Sequence, residues 1–172
     1  MAEVRQHILI TGASAGIGEA LARILAPDAR ISALARRTDR LSSLSSEHDH
    51  ITGYQADVAS FDSAKQAVSR AVAESGPVDL LILNAGIYQP VSAEKFDAEI
   101  YRKHMDINYM GVINLLELVI KDMMAAKQGH IVIMASVAGY RGLPRSAAYG
   151  PTKSALQNLS ESLYFDLKPA GV

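Results

Sequence analysis

Thr11-Gly12-Ala13-Ser14-Ala15-Gly16-Ile17-Gly18 is the part of this sequence that says most about its fold. The apolar run His7 to Ile10 precedes it with the character of a short buried strand, and the helical pattern Glu19 to Leu25 follows it. Glycine allows a tight turn and close approach of the backbone, and the first turn of a helix offers unpaired N–H groups to an anion. The pattern therefore predicts a strand, a phosphate-binding turn and a helix. The alternative is a flexible loop that only joins the two elements.

Apolar runs and helical patterns alternate along the rest of the chain. Strands are predicted at His7–Ile10, Arg30–Ala35, Ile51–Gln55, Leu80–Leu83 and Ile131–Ala135, and helices at Gly16–Leu25, Thr38–Ser45, Phe61–Ser75, Ala98–Lys127 and Ala147–Lys168. This alternation predicts a doubly wound parallel sheet between two layers of helices, a Rossmann-like three-layer α/β/α fold. Ligands of such sheets bind at the carboxyl ends of the strands, where the glycine-rich turn lies. We expect one dinucleotide-binding catalytic domain over residues 1–172.

Composition and charge exclude several classes of protein. A chain of 172 residues with 49% hydrophobic content can bury the core of one domain. A net charge of −1 offers no electrostatic basis for binding nucleic acid or an anionic membrane. The chain has no cysteine, no membrane-length apolar run and no apolar leader, so we expect a soluble cytoplasmic protein. The pair His48-x-His50 lacks a third ligand nearby, and no metal site is predicted.

Tyr149 and Lys153 form the candidate proton-transfer pair, and Ser136 lies thirteen positions upstream of the tyrosine. Residues four apart on a helix share one face, so the lysine ammonium would favour the phenolate and lower the tyrosine pKa from about 10. A phenol with a pKa nearer neutrality is a usable general acid or base. Taken alone, the pair could equally be a solvated one on a helix surface.

Five motifs together resemble the short-chain dehydrogenase/reductase family. They occur in the family's order from about Gln6 to the end of the chain: glycines spaced as Gly12, Gly16 and Gly18, then Asn84-Ala85-Gly86, Asn108, Ser136, and Tyr149 with Lys153. The resemblance implies hydride transfer between a nicotinamide cofactor and a carbonyl or alcohol. It also implies that family members continue through two further strands and a substrate-covering segment. We therefore expect the domain to be incomplete at its carboxyl end and residues 1–172 alone to be weakly active.

The resemblance also implies a role for each catalytic residue. Tyr149 would give its proton to the developing alkoxide, and Ser136 would hold the same oxygen by a hydrogen bond. Lys153 would depress the tyrosine pKa and bind the nicotinamide ribose, while Asn108 would hold a water that links Lys153 to solvent. The alternatives are that Ser136 only caps a helix and that Asn108 is an amide on a helix surface.

The second predicted strand indicates the choice of cofactor. Dinucleotide folds place an acidic residue near the end of this strand for the adenosine ribose, whereas arginine accommodates a 2′-phosphate. Here Ala35 takes the acidic position and Arg36 follows, so NADP(H) is favoured over NAD(H) unless the arginine is merely solvated. The expected cofactor residues are Gly12, Ser14, Ala15, Gly16, Ile17, Gly18, Arg36, Arg37, Asp57, Val58, Asn84, Ala85, Gly86, Tyr149 and Lys153.

Three functions remain to be weighed. The first is an NADP(H)-dependent carbonyl reductase or alcohol dehydrogenase, and the second is a dinucleotide-binding sensor or scaffold without turnover. The third, a sugar-nucleotide epimerase or dehydratase, is weakened by the glycine spacing.

Tyr88 and the segment Val137 to Pro144 should line a pocket for a partly apolar small molecule. The segment Asn108 to Met124 and the helix after Tyr149 carry apolar residues on more than one face, which predicts a homodimer or homotetramer unless further chain covers them.

Overall fold

Five parallel strands form the centre of the computed structural model, which describes residues 6–172. The strands are β1 (Gln6–Thr11), β2 (Ala29–Ala35), β3 (Ile51–Gln55), β4 (Leu80–Leu83) and β5 (His130–Ile133), and they lie in the order β3-β2-β1-β4-β5. All neighbouring strands pair in parallel. The order reverses between β1 and β4, so the turns after these two strands border the crevice in which doubly wound sheets bind ligands.

Helices cover both faces of the sheet. They are α1 (Gly16–Leu25), α2 (Thr38–Glu47), α3 (Phe61–Ser75), α4 (Ala98–His104), α5 (Gly111–Ala126) and α6 (Gly150–Leu167). One core cluster joins α1 and α2 to the sheet, and the other joins α3, α5 and α6 to its opposite face. The predicted fold class and all five predicted strands are confirmed, with ends that differ by at most two residues.

The predicted helix Ala98–Lys127 is wrong as a single regular element. A π-helical turn over Met105–Met110 separates α4 from α5. Tertiary contacts explain this wider turn. They bury Asn108 completely, and they bring Gly111 so close to Val58 that a Cβ there would lie 2.7 Å from a valine methyl carbon. Periodicity along the chain carries no information about such contacts.

Several other element ends differ from the predictions by one to three residues, and two of these differences have a physical reason. The last strand ends at Ile133 rather than Ala135, because its partner β4 ends at Leu83 and offers no further ladder beyond one bond from Met134. The last helix begins at Gly150 rather than Ala147. Pro151 lies in its first turn, the position at which a missing N–H is tolerated.

Two kinds of feature are absent from the described residues. Between Gln6 and Val172, no helix combines the length and the apolarity needed to cross a membrane. Over the same residues, no group of three or more histidine, aspartate or glutamate side chains lies close enough together to hold a metal ion.

Candidate active site

The glycine-rich turn between β1 and α1 is shaped by close backbone contacts. Gly12 has a φ of +69°, and a Cβ on it would lie 2.8 Å from Ala85 Cα. A Cβ on Gly18 would lie 2.5 Å from the carbonyl oxygen of Gly12. Ala15, the residue before α1, offers no side-chain cap to the first N–H groups of this helix. The turn therefore presents unpartnered backbone donors and the positive end of a helix dipole, as an anion site requires.

The turn after β4 is clamped to the turn after β1. The hydroxyl oxygen of Thr11 accepts hydrogen bonds from the backbone N–H of Asn84 at 3.0 Å and of Ala85 at 3.1 Å. The amide nitrogen of Asn84 donates in return to the carbonyl oxygens of Thr11 at 3.1 Å and Gly12 at 3.3 Å. Thr11 is the residue of this clamp that the sequence analysis did not assign to the site. Its position at the end of a buried strand was the available signal.

A cavity of about 380 Å³ opens at the switch point between these turns. Its walls contain most of the expected cofactor residues: Gly12, Ser14, Ala15, Ile17, Arg36, Arg37, Asp57, Val58, Asn84, Ala85 and Gly86. Gly16 and Gly18 lie in the adjoining turn, where they shape the backbone. Sequence reasoning did not assign Leu34, Ala56, Ile87 and Ile107 to the cofactor site, although they line the same cavity. Leu34 belongs to a strand-like run, and the other three are single apolar residues beside polar residues or glycine, so no signal in the sequence separates a cavity wall from a core position.

Arg37, rather than Arg36, forms hydrogen bonds to the glycine-rich turn between β1 and α1. Its Nε and Nη2 donate to Ser14 Oγ at 3.2 and 3.0 Å, and Nη2 also donates to the Ser14 carbonyl oxygen at 3.0 Å. Arg36 is exposed beside it. Within residues 6–172, neither arginine forms an ion pair with a carboxylate. Two guanidinium groups without a carboxylate partner therefore line the cavity next to the end of β2.

Tyr149 and Lys153 lie together at the start of α6. Tyr149 precedes the helix with helical backbone angles, and its carbonyl oxygen accepts from the Lys153 N–H at 3.3 Å. The lysine ammonium lies 5.7 Å from the centre of the tyrosine ring and donates to the carbonyl oxygen of Met134 at 2.6 Å. Burial lowers the pKa of Lys153 below its usual value. A buried ammonium beneath the phenol differs from the solvated surface pair that was the alternative.

Ser136 lies in the turn that connects β5 to α6. Its hydroxyl oxygen accepts from the Ala138 N–H at 3.2 Å, which leaves the hydroxyl proton free to donate. Its carbonyl oxygen accepts from Gln157 Nε2 at 3.2 Å. The turn packs directly on α6, because a Cβ on Gly150 would lie 2.9 Å from the Ala138 carbonyl oxygen. Ser136 is thus held against the same helix that carries Tyr149 and Lys153.

Asn108 is fully buried in the π-helical turn, so its interpretation as a surface amide is wrong. Its Oδ1 accepts from the Ile87 N–H at 2.7 Å, and its Nδ2 donates to the Ile87 carbonyl oxygen at 3.0 Å and to Thr152 Oγ1 at 3.1 Å. Asn108 therefore connects the turn after β4 to α6. Its expected part in a water link to Lys153 stays a prediction.

The sequence pattern of the short chain dehydrogenase family matches residues 6–172. The chain belongs to this family. An uncharacterised oxidoreductase of Listeria innocua is 38% identical over 171 residues, which make up 95% of this chain and 68% of that protein. This short-chain dehydrogenase sequence therefore spans about two thirds of the length of that relative.

Solved structures of other short-chain dehydrogenases have the same fold. An actinorhodin polyketide ketoreductase with NADPH is 28% identical, has a TM-score of 0.94, and is matched over 99% of this chain and 69% of its own. A closed form of serine dehydrogenase complexed with NADP+ is 30% identical, has a TM-score of 0.90, and is matched over 94% and 66%. The chain is an NAD(P)-dependent oxidoreductase of the short-chain dehydrogenase family.

Proposed function

We propose that this short-chain dehydrogenase is an NADP(H)-dependent carbonyl reductase, or in reverse an alcohol dehydrogenase, with Tyr149 as the general acid and base. The observation that carries the proposal is the buried Lys153 ammonium 5.7 Å from the centre of the Tyr149 ring. Burying a lysine ammonium costs free energy unless the charge is paired. Among residues 6–172, the only side-chain hydrogen bond of Lys153 goes to a backbone carbonyl, so no carboxylate offsets this cost. A cation kept at that position stabilises negative charge on the phenol oxygen.

Each step of the mechanism uses residues of this chain. The nicotinamide cofactor supplies the hydride when it is bound. Tyr149 transfers its phenolic proton to the oxygen of the substrate carbonyl, and Lys153 offsets the negative charge that remains on the phenol. The hydroxyl group of Ser136 donates a hydrogen bond to the same substrate oxygen, keeps its own proton and stabilises the developing charge. In the reverse direction the phenolate accepts the proton of the alcohol.

The cofactor fits the residues that surround the cavity. The uncapped start of α1 would hold the pyrophosphate, and the clamped turn at Asn84, Ala85 and Gly86 would lie beside the adenosine ribose. Asp57 and Val58 would meet the adenine edge. These assignments follow the family resemblance, and the described contacts are compatible with them.

The preference for NADP(H) over NAD(H) is supported by charge at the end of β2. The strand ends in Ala35, with no carboxylate to bind the adenosine 2′-hydroxyl and repel a phosphate. Arg37 is already oriented on Ser14, so a 2′-phosphate would meet an ordered guanidinium and a hydroxyl. The structural relatives that carry NADP+ and NADPH in their names agree with this choice.

The other two functions lack a specific supporting observation. A binding protein without turnover could use Lys153 to hold the nicotinamide ribose, but it would not use the Tyr149 phenol that lies beside this lysine. An epimerase or dehydratase of the longer-chain type would be expected to show a different glycine spacing. Both alternatives predict that the protein binds the cofactor without reducing simple carbonyl compounds.

The assembly is proposed to be a homodimer or homotetramer through α5 and α6. Tyr164 and Phe165 at the end of α6 are 53% and 75% exposed, and Met124 at the end of α5 is 38% exposed. Exposed apolar residues on two neighbouring helices favour association with another copy. Light scattering at micromolar concentration should give at least twice the monomer mass, and a strictly monomeric protein would contradict the proposal.

The experiment that tests the function is the Tyr149→Phe substitution. This change removes only the ionisable oxygen, so NADPH affinity should stay near the wild-type value while carbonyl reduction falls by about 10²–10⁴-fold. Oxidation of NADPH measures turnover, and cofactor fluorescence measures binding. Tyr164→Phe is the matched control, since it removes the same oxygen at the far end of α6. Retention of most of the activity in Tyr149→Phe would show that another group transfers the proton.

A further inference from the structure

Tyr88 packs directly against the proposed proton donor. The ring centres of Tyr88 and Tyr149 are 5.2 Å apart and the planes meet at 74°, an edge-to-face arrangement that aromatic pairs favour. Tyr88 is nevertheless 54% exposed. One part of its ring therefore supports Tyr149, and another part is open to a molecule bound beside it.

The backbone on both sides of Tyr88 is pinned by buried side chains. Before it, Ile87 exchanges two hydrogen bonds with the Asn108 side chain, at 2.7 and 3.0 Å. After it, the Gln89 N–H donates to Nε2 of His104 at 3.1 Å. The backbone at Tyr88 therefore cannot shift far without breaking one of these contacts. The proposed mechanism assigns no role to His104.

His104 is fully buried at the end of α4, and both of its ring nitrogens are used. Nδ1 lies 2.7 Å from the carbonyl oxygen of Ile100, to which it donates, so Nε2 is the acceptor for the Gln89 N–H. A histidine in this position could be an ordinary core residue with satisfied hydrogen bonds. Its acceptor contact, however, is made to the loop beside the active site, and an apolar residue would leave that N–H without this partner.

A second set of exposed apolar side chains lies on the loop that follows Ser136 and packs on the start of α6. Val137 and Tyr140 on this loop are 72% and 79% exposed. The two loops are connected, because the Val91 N–H donates to the Arg145 carbonyl oxygen at 3.0 Å. Exposed apolar side chains that flank a polar reacting group favour a substrate with apolar surface next to its carbonyl carbon.

We propose that Tyr88 is a specificity-determining residue, held in place by the positioning residue His104, that selects carbonyl substrates carrying a flat apolar group. This inference rests on the proposed function. A planar group can stack on or meet the edge of the exposed Tyr88 ring, whereas a short alkyl chain covers little of it. Because the same ring contacts Tyr149, the loop that carries Tyr88 sets the position of both the substrate and the proton donor.

The test compares reduction of benzaldehyde and propanal by the full-length protein with NADPH. The wild type should have the higher kcat/KM for benzaldehyde. Tyr88→Ala should lower the benzaldehyde-to-propanal ratio of kcat/KM by about 2- to 10-fold, as expected for loss of one aromatic contact. Tyr88→Phe should keep the ratio. Phe96→Ala is the matched control, because Phe96 is also exposed but stacks on Tyr101 rather than on Tyr149.

The positioning role of His104 is tested by exchange and rescue. His104→Leu should lower kcat for both aldehydes and lower their ratio, because Gln89 loses its acceptor and the loop loses its position. His104→Gln restores an acceptor and should recover most of both quantities. An unchanged ratio in Tyr88→Ala, or a wild type that prefers propanal, would overturn the inference even if His104→Leu failed to fold.

Failure of this inference can be distinguished from failure of the proposed function. A wild type that binds NADPH but reduces no carbonyl compound overturns the proposed function, and the inference with it. A wild type that reduces both aldehydes, with ratios unaffected by changes at Tyr88, overturns the inference alone. Equal effects of His104→Leu and His104→Gln would assign His104 a packing role only.

Discussion

Replacing Arg37 by alanine should remove most of the discrimination between NADPH and NADH. Arg37 is placed for this contact by its two hydrogen bonds to Ser14 Oγ, at 3.2 and 3.0 Å, on the rim of the cofactor cavity. A hydrogen bond to a charged group is worth about 1.5–3 kcal/mol, or roughly 10- to 150-fold in Kd. Because Arg37 is exposed, solvent screening favours the lower end of this range, about 10-fold, and added salt should reduce it further.

Titration with each reduced cofactor, followed by nicotinamide fluorescence, measures the two affinities separately. Arg37→Ala should weaken NADPH binding and leave NADH binding nearly unchanged, because only NADPH carries the 2′-phosphate. Arg36→Ala should have a smaller effect. Arg40→Ala on α2 is the control, since this exposed arginine lies outside the cavity. Equal wild-type affinities for the two cofactors, or undiminished discrimination in Arg37→Ala, would refute the assignment. A larger loss in Arg36→Ala would transfer the phosphate contact to that residue.

Three further predictions concern stability and binding. Lys153→Met should abolish turnover but change the free energy of unfolding by less than about 1 kcal/mol, because removing the buried charge offsets the lost hydrogen bond to Met134. Strong destabilisation of this variant in urea unfolding would assign the lysine a structural role instead. Gly18→Ala should weaken NADPH binding and cost about 1–3 kcal/mol of stability, since its Cβ would lie 2.5 Å from a backbone oxygen, whereas Gly142→Ala meets open space and should have little effect on stability. Burial lowers the pKa of His7, so the unfolded chain binds the histidine proton before the folded chain does as the pH falls below about 6.5. The free energy of unfolding should decline there by at most about 1.4 kcal/mol per pH unit for this group. Urea unfolding of His7→Gln should show a shallower decline with pH, and an unchanged slope would exclude His7 as the source of the pH dependence.

The amino-acid sequence was enough to predict the fold class and the glycine-rich turn, and the proposed catalytic residues follow from it together with the family resemblance. These features depend on local signals: apolar runs of strand length, helical periodicity, and glycines at positions that need a positive φ or a close contact. Four elements, α1, β3, α3 and β4, have the predicted ends, since their signals lie entirely within the element. The proposed roles of Tyr149 and Lys153 likewise depend on a spacing that is visible in the chain.

Three features became visible only in the folded chain: the arginine that contacts the glycine-rich turn, the place where the long helix changes its hydrogen-bonding pattern, and the contacts of His104. Arg36 and Arg37 are adjacent in sequence, and the folded chain places Arg37, the residue before α2, against Ser14, which lies 23 positions earlier. The π-helical turn exists where Asn108 is buried against Ile87, a residue 21 positions away. Such contacts join segments that are distant along the chain, and their energies depend on the packing of the whole domain rather than on the local sequence.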